Sequence, residues 1–191
     1  MKNTGWDKLK TGMRGGNNGL LKLIKELPPD ITMAEIGCYA GESTLMFLQS
    51  GKIRQLFAID TWSSEYDGEY QGTEEFIERI NRMYGNMGWA EWSFDERVKK
   101  YKNVVKMKMT FEDAFDTLPM LDFIYIDADH RYDAVKNDIL LAKRIVKQTG
   151  IIAGHDYDAQ ESPGVIHAVN ELFGKPDKIY PDKSWIINGN S

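Results

Sequence analysis

The chain has 191 residues, enough for one domain with a full-sized core and too few for two. Hydrophobic residues make up 42% and charged residues 28%, an ordinary globular balance, and no apolar run approaches the ~18 residues that cross a bilayer. A net charge of −5 argues against a nucleic-acid binder, and the single cysteine, Cys38, excludes an internal disulfide.

The first residues, MKNTGWDKLKTGMRGG, are charged and glycine-rich without an apolar core, unlike a secretory signal, so a cytoplasmic protein is expected. Leu20, Leu21, Leu23, Ile24 and Leu27 then form a helical apolar stripe that stops at Pro28-Pro29. Runs rich in β-branched and aromatic residues follow at about 32–36, 54–59, 103–109, 121–126 and 150–154, with helix-period segments between most of them. This alternation predicts a parallel sheet covered on both faces.

The first strand breaks at Gly37 into a loop that runs through Gly41. Both glycines allow a ligand close to the backbone, and a helix opening near Glu42 or Ser43 aims free N–H groups into the space above the strand. The second strand ends in Asp60, a carboxylate that suits both hydroxyls of a ribose. Together these residues read as a nucleotide-cofactor site, whereas the loop alone also fits an ordinary strand-to-helix turn. Cys38 has no CxxC or Cys/His companion and reads as a small loop residue.

Residues 62–100 interrupt the alternation and are crowded with rings, among them Trp62, Tyr66, Tyr70, Phe76, Tyr84, Trp89, Trp92 and Phe94. Phe76, Ile77, Ile80 and Tyr84 have helical spacing. The remaining rings, with Gly68, Gly72, Gly85 and Gly88, suit a mobile lid or an acceptor-binding wall, or else a satellite core or an oligomer contact. Residues 60–78 carry seven acids and no base, and residues 97–108 carry six bases and no acid. Both read as solvated faces, with phosphate binding as the alternative for the basic run.

The fourth strand pattern, Leu121 to Ile126, runs into Asp127-Ala128-Asp129-His130-Arg131-Tyr132, and the fifth ends in Gly154-His155-Asp156-Tyr157. The ligand crevice of an open parallel sheet lies beyond the carboxyl ends of its strands, so these groups should stand beside Gly37 and Asp60. Asp127, His155 and Asp156 are enough to hold a hard divalent cation such as Mg²⁺, which would lower the pKa of a bound hydroxyl. His130 is then the natural general base. In the competing view Asp127 and Asp156 only cap turns, while His130 and His155 donate to carbonyls.

Val135, Ile139, Ala142, Ile145 and Val146 make a second helical stripe that ends before Gly150. Ser162 as N-cap, Pro163 at the first position and Gly174 as the stop frame a third helix, in which His167 is structural or exposed. Lys178-Ile179-Tyr180 and Ser184-Trp185-Ile186-Ile187 flank Pro181-Asp182-Lys183 as a hairpin.

From about residue 31 to 188 the chain resembles the class I S-adenosylmethionine-dependent methyltransferases. The likeness is to the small-molecule O-methyltransferase branch that includes macrocin and aminocoumarin sugar methyltransferases and, more distantly, catechol O-methyltransferase. It rests on Glu35-Ile36-Gly37-Cys38-Tyr39-Ala40-Gly41-Glu42-Ser43, Ala58-Ile59-Asp60-Thr61-Trp62, and the two strand-end motifs at Asp127 and Asp156. The E-x-G-x-x-x-G spacing is unlike the G-x-G-x-x-G dinucleotide fingerprint, which argues against NAD.

The resemblance implies one methyltransferase domain with a Rossmann-like fold: a doubly wound, mostly parallel seven-stranded sheet with a C-terminal antiparallel hairpin. It implies that Glu35, Gly37, Tyr39 and Ser43, on the loop with Gly41, surround the methionine portion of S-adenosylmethionine. Asp60, in one motif with Thr61 and Trp62, would bind the ribose, and Phe111-Glu112 would border the adenine. Asp127, also beside the cofactor, and Asp156 would ligate a metal, with His130 as catalytic base. His155 departs from the acidic or amide side chain usual near the second metal position, which leaves the metal's identity open. The activity implied is methylation of a hydroxyl on a sugar or other polar small molecule, with divalent-metal assistance. Neither nucleic acid nor membrane is an expected partner, and a homo-oligomer stays open. Two other readings are a non-catalytic nucleoside-binding module, and an iron oxygenase built on His130, His155 and a carboxylate, which would have no use for Gly37 and Asp60.

Overall fold

The computed structural model describes residues 18–63 and 87–189. The apolar stripe after Asn18 winds into helix α1 (Asn18–Glu26), with Leu20, Leu21, Leu23 and Ile24 buried. Strand β1 (Ile31–Ile36), helix α2 (Glu42–Gln49), strand β2 (Ile53–Asp60), helix α3 (Met87–Val98) and strand β3 (Val104–Lys108) follow. A short helix α4 (Phe111–Ala114) leads to strand β4 (Leu121–Ile126), helix α5 (Tyr132–Ile145), strand β5 (Val146–Gly154) and helix α6 (Pro163–Phe173). Strands β6 (Lys178–Ile179) and β7 (Trp185–Asn188) close the chain.

The strands form one seven-stranded sheet in the order β3-β2-β1-β4-β5-β7-β6. The first five are parallel, and β7 runs antiparallel to both β5 and β6. Because a central parallel strand is covered on both faces, β4 sends alternate residues into two cores. Phe123 and Tyr125 pack with Phe47 and Phe94 on the side of α1, α2 and α3. Ile124 and Ile126 pack with Ile139, Val169 and Trp185 on the side of α5 and α6. Burial of each such side chain contributes roughly 1.5–3 kcal/mol.

Two local expectations change. Strand β5 begins at Val146, directly after α5. Its pairing with β4 jumps from Leu121↔Val146 to Phe123↔Ile151, and the slack is taken up near Gly150, where a Cβ would lie 2.5 Å from Val146 Cγ1. Ser162 makes no side-chain cap bond to α6; its Oγ stands 3.5 Å from His130 Nδ1 instead. Gly174 does end that helix, at φ 82°.

In the aromatic insertion, the helix-spaced Phe76, Ile77, Ile80 and Tyr84 lie outside the described residues, as do Tyr66, Tyr70, Gly68, Gly72 and Gly85. At its described end α3 occupies the crossover between β2 and β3, and Phe94 is buried 4.9 Å from the buried Trp62 ring. Trp89 and Trp92 of the same helix are exposed. Among the described residues no helix is long and apolar enough to cross a membrane.

Candidate active site

The sheet order reverses between β1 and β4, and the loops leaving those two strands part there. Gly37 holds them together. Its N–H donates to Ile59 O at 2.9 Å, while Asp127 N–H donates to Ile36 O at 2.7 Å. Gly37 sits at φ 84°, and a Cβ on it would lie 2.1 Å from Asp127 O, so no side chain fits. Gly41, at φ 81°, opens helix α2.

Asp60 folds the loop. Its Oδ2 accepts the N–H groups of Cys38 and Tyr39 at 2.8 and 2.7 Å, and its Oδ1 accepts Trp62 N–H at 2.7 Å. Tyr39 and Trp62 both adopt left-handed backbone, φ 45° and 43°, and the Trp62 indole N–H donates to Tyr39 O at 2.8 Å. Asp60, expected to take both hydroxyls of a ribose, thus also holds backbone amides, and the lone pairs they leave are what a ligand could use. Trp62 itself is buried and braces the loop rather than lining the hollow.

Glu35 lies beneath the loop. It is fully buried and lines neither hollow at the site. Its Oε2 accepts Thr44 Oγ1–H at 2.5 Å, and no described donor reaches Oε1 in hydrogen-bond geometry. Burial drives its carboxyl up to about 8, with the Ser43 and Thr44 hydroxyls opposing. Cys38 is buried beside it, and that burial pushes the thiol well above its ordinary range, unlike a nucleophile.

Two hollows meet at Gly37, Tyr39 and Asp127. The larger, about 400 Å³, has Asp60 and Thr61 on one side, Phe111 and Glu112 at the start of α4 on another, and Asp138 of α5 at its far wall. The smaller, about 170 Å³, is bounded by Ala40, Ser43, Tyr125 and His155. Asp138 was not legible as a site residue. Its one signal is that Ala134, Asn137 and Asp138 share a helical face beside the buried stripe, and burial, with the Asp129 charge, raises its carboxyl to about 7.

At the join stands a cluster of acids and imidazoles. His130 Nε2 lies 2.9 Å from Asp156 Oδ2, and His155 Nδ1 lies 3.0 Å from Asp156 Oδ1 and 4.0 Å from Asp127 Oδ1. Asp156 is held at φ 57°, a conformation that costs free energy outside glycine and that turns its carboxylate between the two rings. Burial raises Asp127 to about 6, helped by Asp156 and opposed by both histidines. Burial alone would lower His155, but its hydrogen bond to Asp156 and the nearby carboxylates carry it to about 9. Burial opposes ionisation of Asp156 too, yet the bonds from His130 and His155 hold it well below the usual carboxylate range.

Asp127, His130 and Asp156 each offer an atom within 4.8 Å of the others, which fits a divalent cation. Of the expected set of Asp127, His155 and Asp156, the two aspartates converge with His130, and His155 meets Asp156 from the other side. The start of α6 fixes this arrangement, because a Cβ on Gly164 would lie 2.3 Å from His130 O. His167 is exposed on α6.

A family model described as a methyltransferase domain matches residues 34–157. The uncharacterized protein R132 of Acanthamoeba polyphaga mimivirus is 32% identical over 166 residues, covering 83% of this chain and 67% of that protein. Among solved structures, the O-methyltransferase NovP superposes with a TM-score of 0.63 at 16% identity, over 88% of this chain and 77% of NovP. The precorrin 8W decarboxylase of Methanobacterium thermoautotrophicum gives 0.58 at 14% identity, over 88% and 81%. At these identities the two structures share the fold.

Proposed function

The chain belongs to the methyltransferase-domain family and is an S-adenosylmethionine-dependent methyltransferase; from that premise we propose that it methylates a hydroxyl of a sugar or other polar small molecule, assisted by a divalent cation. The observation that carries this reading is the cluster in which Asp127 lines both hollows, His130 the larger and His155 the smaller, with Asp156 joining the two imidazoles. A hydroxyl is a poor nucleophile until its proton is removed, and this cluster offers both a cation site and imidazoles to take that proton.

The lining of the two hollows suits the two ends of the donor. The 400 Å³ space offers Asp60 for ribose hydroxyls and Phe111 with Glu112 for a base, and the 170 Å³ space offers Ser43 at the N-terminus of α2 for the amino-acid end. When bound, S-adenosylmethionine supplies a methyl carbon already activated by its sulfonium. The chain's own work is alignment and proton removal. Asp127, His130 and Asp156 would hold the cation, whose Lewis acidity favours the alkoxide form of an acceptor hydroxyl. His155, anchored by Asp156 and carried to about 9, stands beside that group as an imidazolium near neutral pH and accepts a proton only in its neutral form.

The test is transfer of labelled methyl from S-adenosylmethionine to a panel of sugars and polyols, with the product's linkage identified. Methyl ethers are expected, with turnover reduced about 100-fold or more in Asp127→Asn and Asp156→Asn. Binding of S-adenosylhomocysteine should survive in Asp156→Asn. Cofactor binding without turnover on any acceptor would favour a binding module, and methylation at nitrogen or carbon alone would sink the hydroxyl reading.

A further inference from the structure

Resting on the divalent-cation reading above, we propose that Asp127, His130 and Asp156 form a mixed nitrogen and oxygen site that selects a borderline first-row cation, of the Mn²⁺, Co²⁺ or Zn²⁺ kind, against Mg²⁺. The argument starts from what a cation must displace. In the structure His130 Nε2 and Asp156 Oδ2 are hydrogen-bonded at 2.9 Å, and the two residues converge with Asp127, each offering one atom within 4.8 Å of the others. A cation entering here replaces that hydrogen bond with a metal–nitrogen bond. Mg²⁺ prefers an octahedron of oxygens and gives up water reluctantly, so it recovers little from an imidazole. Borderline cations bind imidazole strongly and still accept carboxylate.

The nitrogen is also held in place. Ser162 Oγ stands 3.5 Å from His130 Nδ1, the ring atom that faces away from the cluster, and the backbone at His130 is pinned against Gly164. Outer contacts of this kind fix the ring and leave Nε2 as the donor. His155 occupies the other oxygen of Asp156 at 3.0 Å, which orients that carboxylate and adds a second imidazole beside the site. Two imidazoles and two carboxylates at the join make the surroundings softer than an all-carboxylate centre.

Competition titrations on the full chain test this, with Co²⁺ as the probe. Wild type should bind one equivalent of Co²⁺ with a visible ligand-field band, and a hundredfold excess of Mg²⁺ should displace little of it. His130→Asp, which makes the converging set all oxygen, should shift the Mg²⁺ to Co²⁺ affinity ratio at least tenfold towards Mg²⁺. Pulsed electron paramagnetic resonance of the Mn²⁺-loaded wild type should show coupling to ¹⁴N, a readout that needs no variant. Displacement by Mg²⁺ at comparable concentration, or absence of ¹⁴N coupling, overturns the inference. Thermal stabilisation by S-adenosylhomocysteine, measured on the same samples, reports the cofactor hollow separately. Retained stabilisation with no cation bound overturns the cation site and leaves the methyltransferase standing.

Discussion

A carboxyl with an unsatisfied oxygen in a dry interior is expensive when ionised, and Glu35 is such a group beneath the cofactor loop. Its folded pKa is raised from 4.5 to about 8, so between those values the folded state binds a proton that the unfolded chain does not. This contribution to stability is complete below pH 4.5 and is lost as pH rises through 8, an interval worth at most about 5 kcal/mol. Glu35→Gln copies the shape of the neutral acid. The variant should melt close to wild type near pH 5 and become the more stable of the two by pH 8 to 9. A difference that stays constant with pH would show Glu35 to be ionised throughout. Two glycines make a second prediction at this scale. Gly37→Ala places a methyl 2.1 Å from Asp127 O and should abolish S-adenosylhomocysteine binding with severe destabilisation. Gly51→Ala, also at positive φ (70°) but with nothing within 4 Å, should cost only the left-handed backbone strain of about 1 kcal/mol and leave binding intact. The loop's glycines could be read from spacing alone. The embrace of Asp60 by three amides could not, because it depends on left-handed backbone at Tyr39 and Trp62, for which neither residue type is a signal.

Elements bring together charges that a chain-order count keeps apart. The basic run at 97–108 looked unpaired because its partners lie one element earlier, on α3. Lys106 bridges Glu91 and Asp95 at 2.9 and 2.8 Å and stands 4.8 Å from the Trp62 ring centroid, and Lys108 meets Glu91 at 2.7 Å. Arg97 donates to Ala40 O at 2.6 Å, tying α3 to the glycine loop. Phosphate binding by this run therefore loses Arg97, Lys106 and Lys108 to structural work. Lys106→Ala should cost about 1–2 kcal/mol in urea unfolding, part of which disappears in 0.5 M salt. Lys100→Ala, whose ammonium only approaches the Tyr101 ring at 5.2 Å, should cost under about 0.5 kcal/mol. An equal loss in both would deny the network its role. The same contrast explains which elements were legible. Strand β4 matches its apolar run residue for residue, since its limits are set by hydrophobicity within that run. The start of β5 and the Ser162 hydroxyl were misplaced because each depends on a neighbour distant in sequence, Leu121 for one and His130 for the other.

For the whole molecule the decisive feature is that one hollow is walled by both halves of the sheet. Asp60 and Phe111 come from the β2 and β3 side, and Asp127 and Asp138 from the β4 and α5 side. That the sheet turns back between β1 and β4 was implied by resemblance; periodicity alone gives strands without their order. A ligand filling this hollow touches both halves, so its binding free energy opposes their separation. At a hundredfold excess over its dissociation constant, S-adenosylhomocysteine should add about 2.7 kcal/mol and raise the melting temperature by roughly 5–10 °C. Hydrogen exchange should slow together in the loop from Gly37 to Gly41 and in the first turns of α5, with α6 and the C-terminal hairpin changing least. Asp60→Ala should remove both effects, since it frees two amides of the loop and that of Trp62 at once and takes away the ribose acceptor. Protection confined to one half would mean that the ligand binds outside this hollow. Protection of both halves that survived in Asp60→Ala would deny Asp60 its hold on loop and ribose alike.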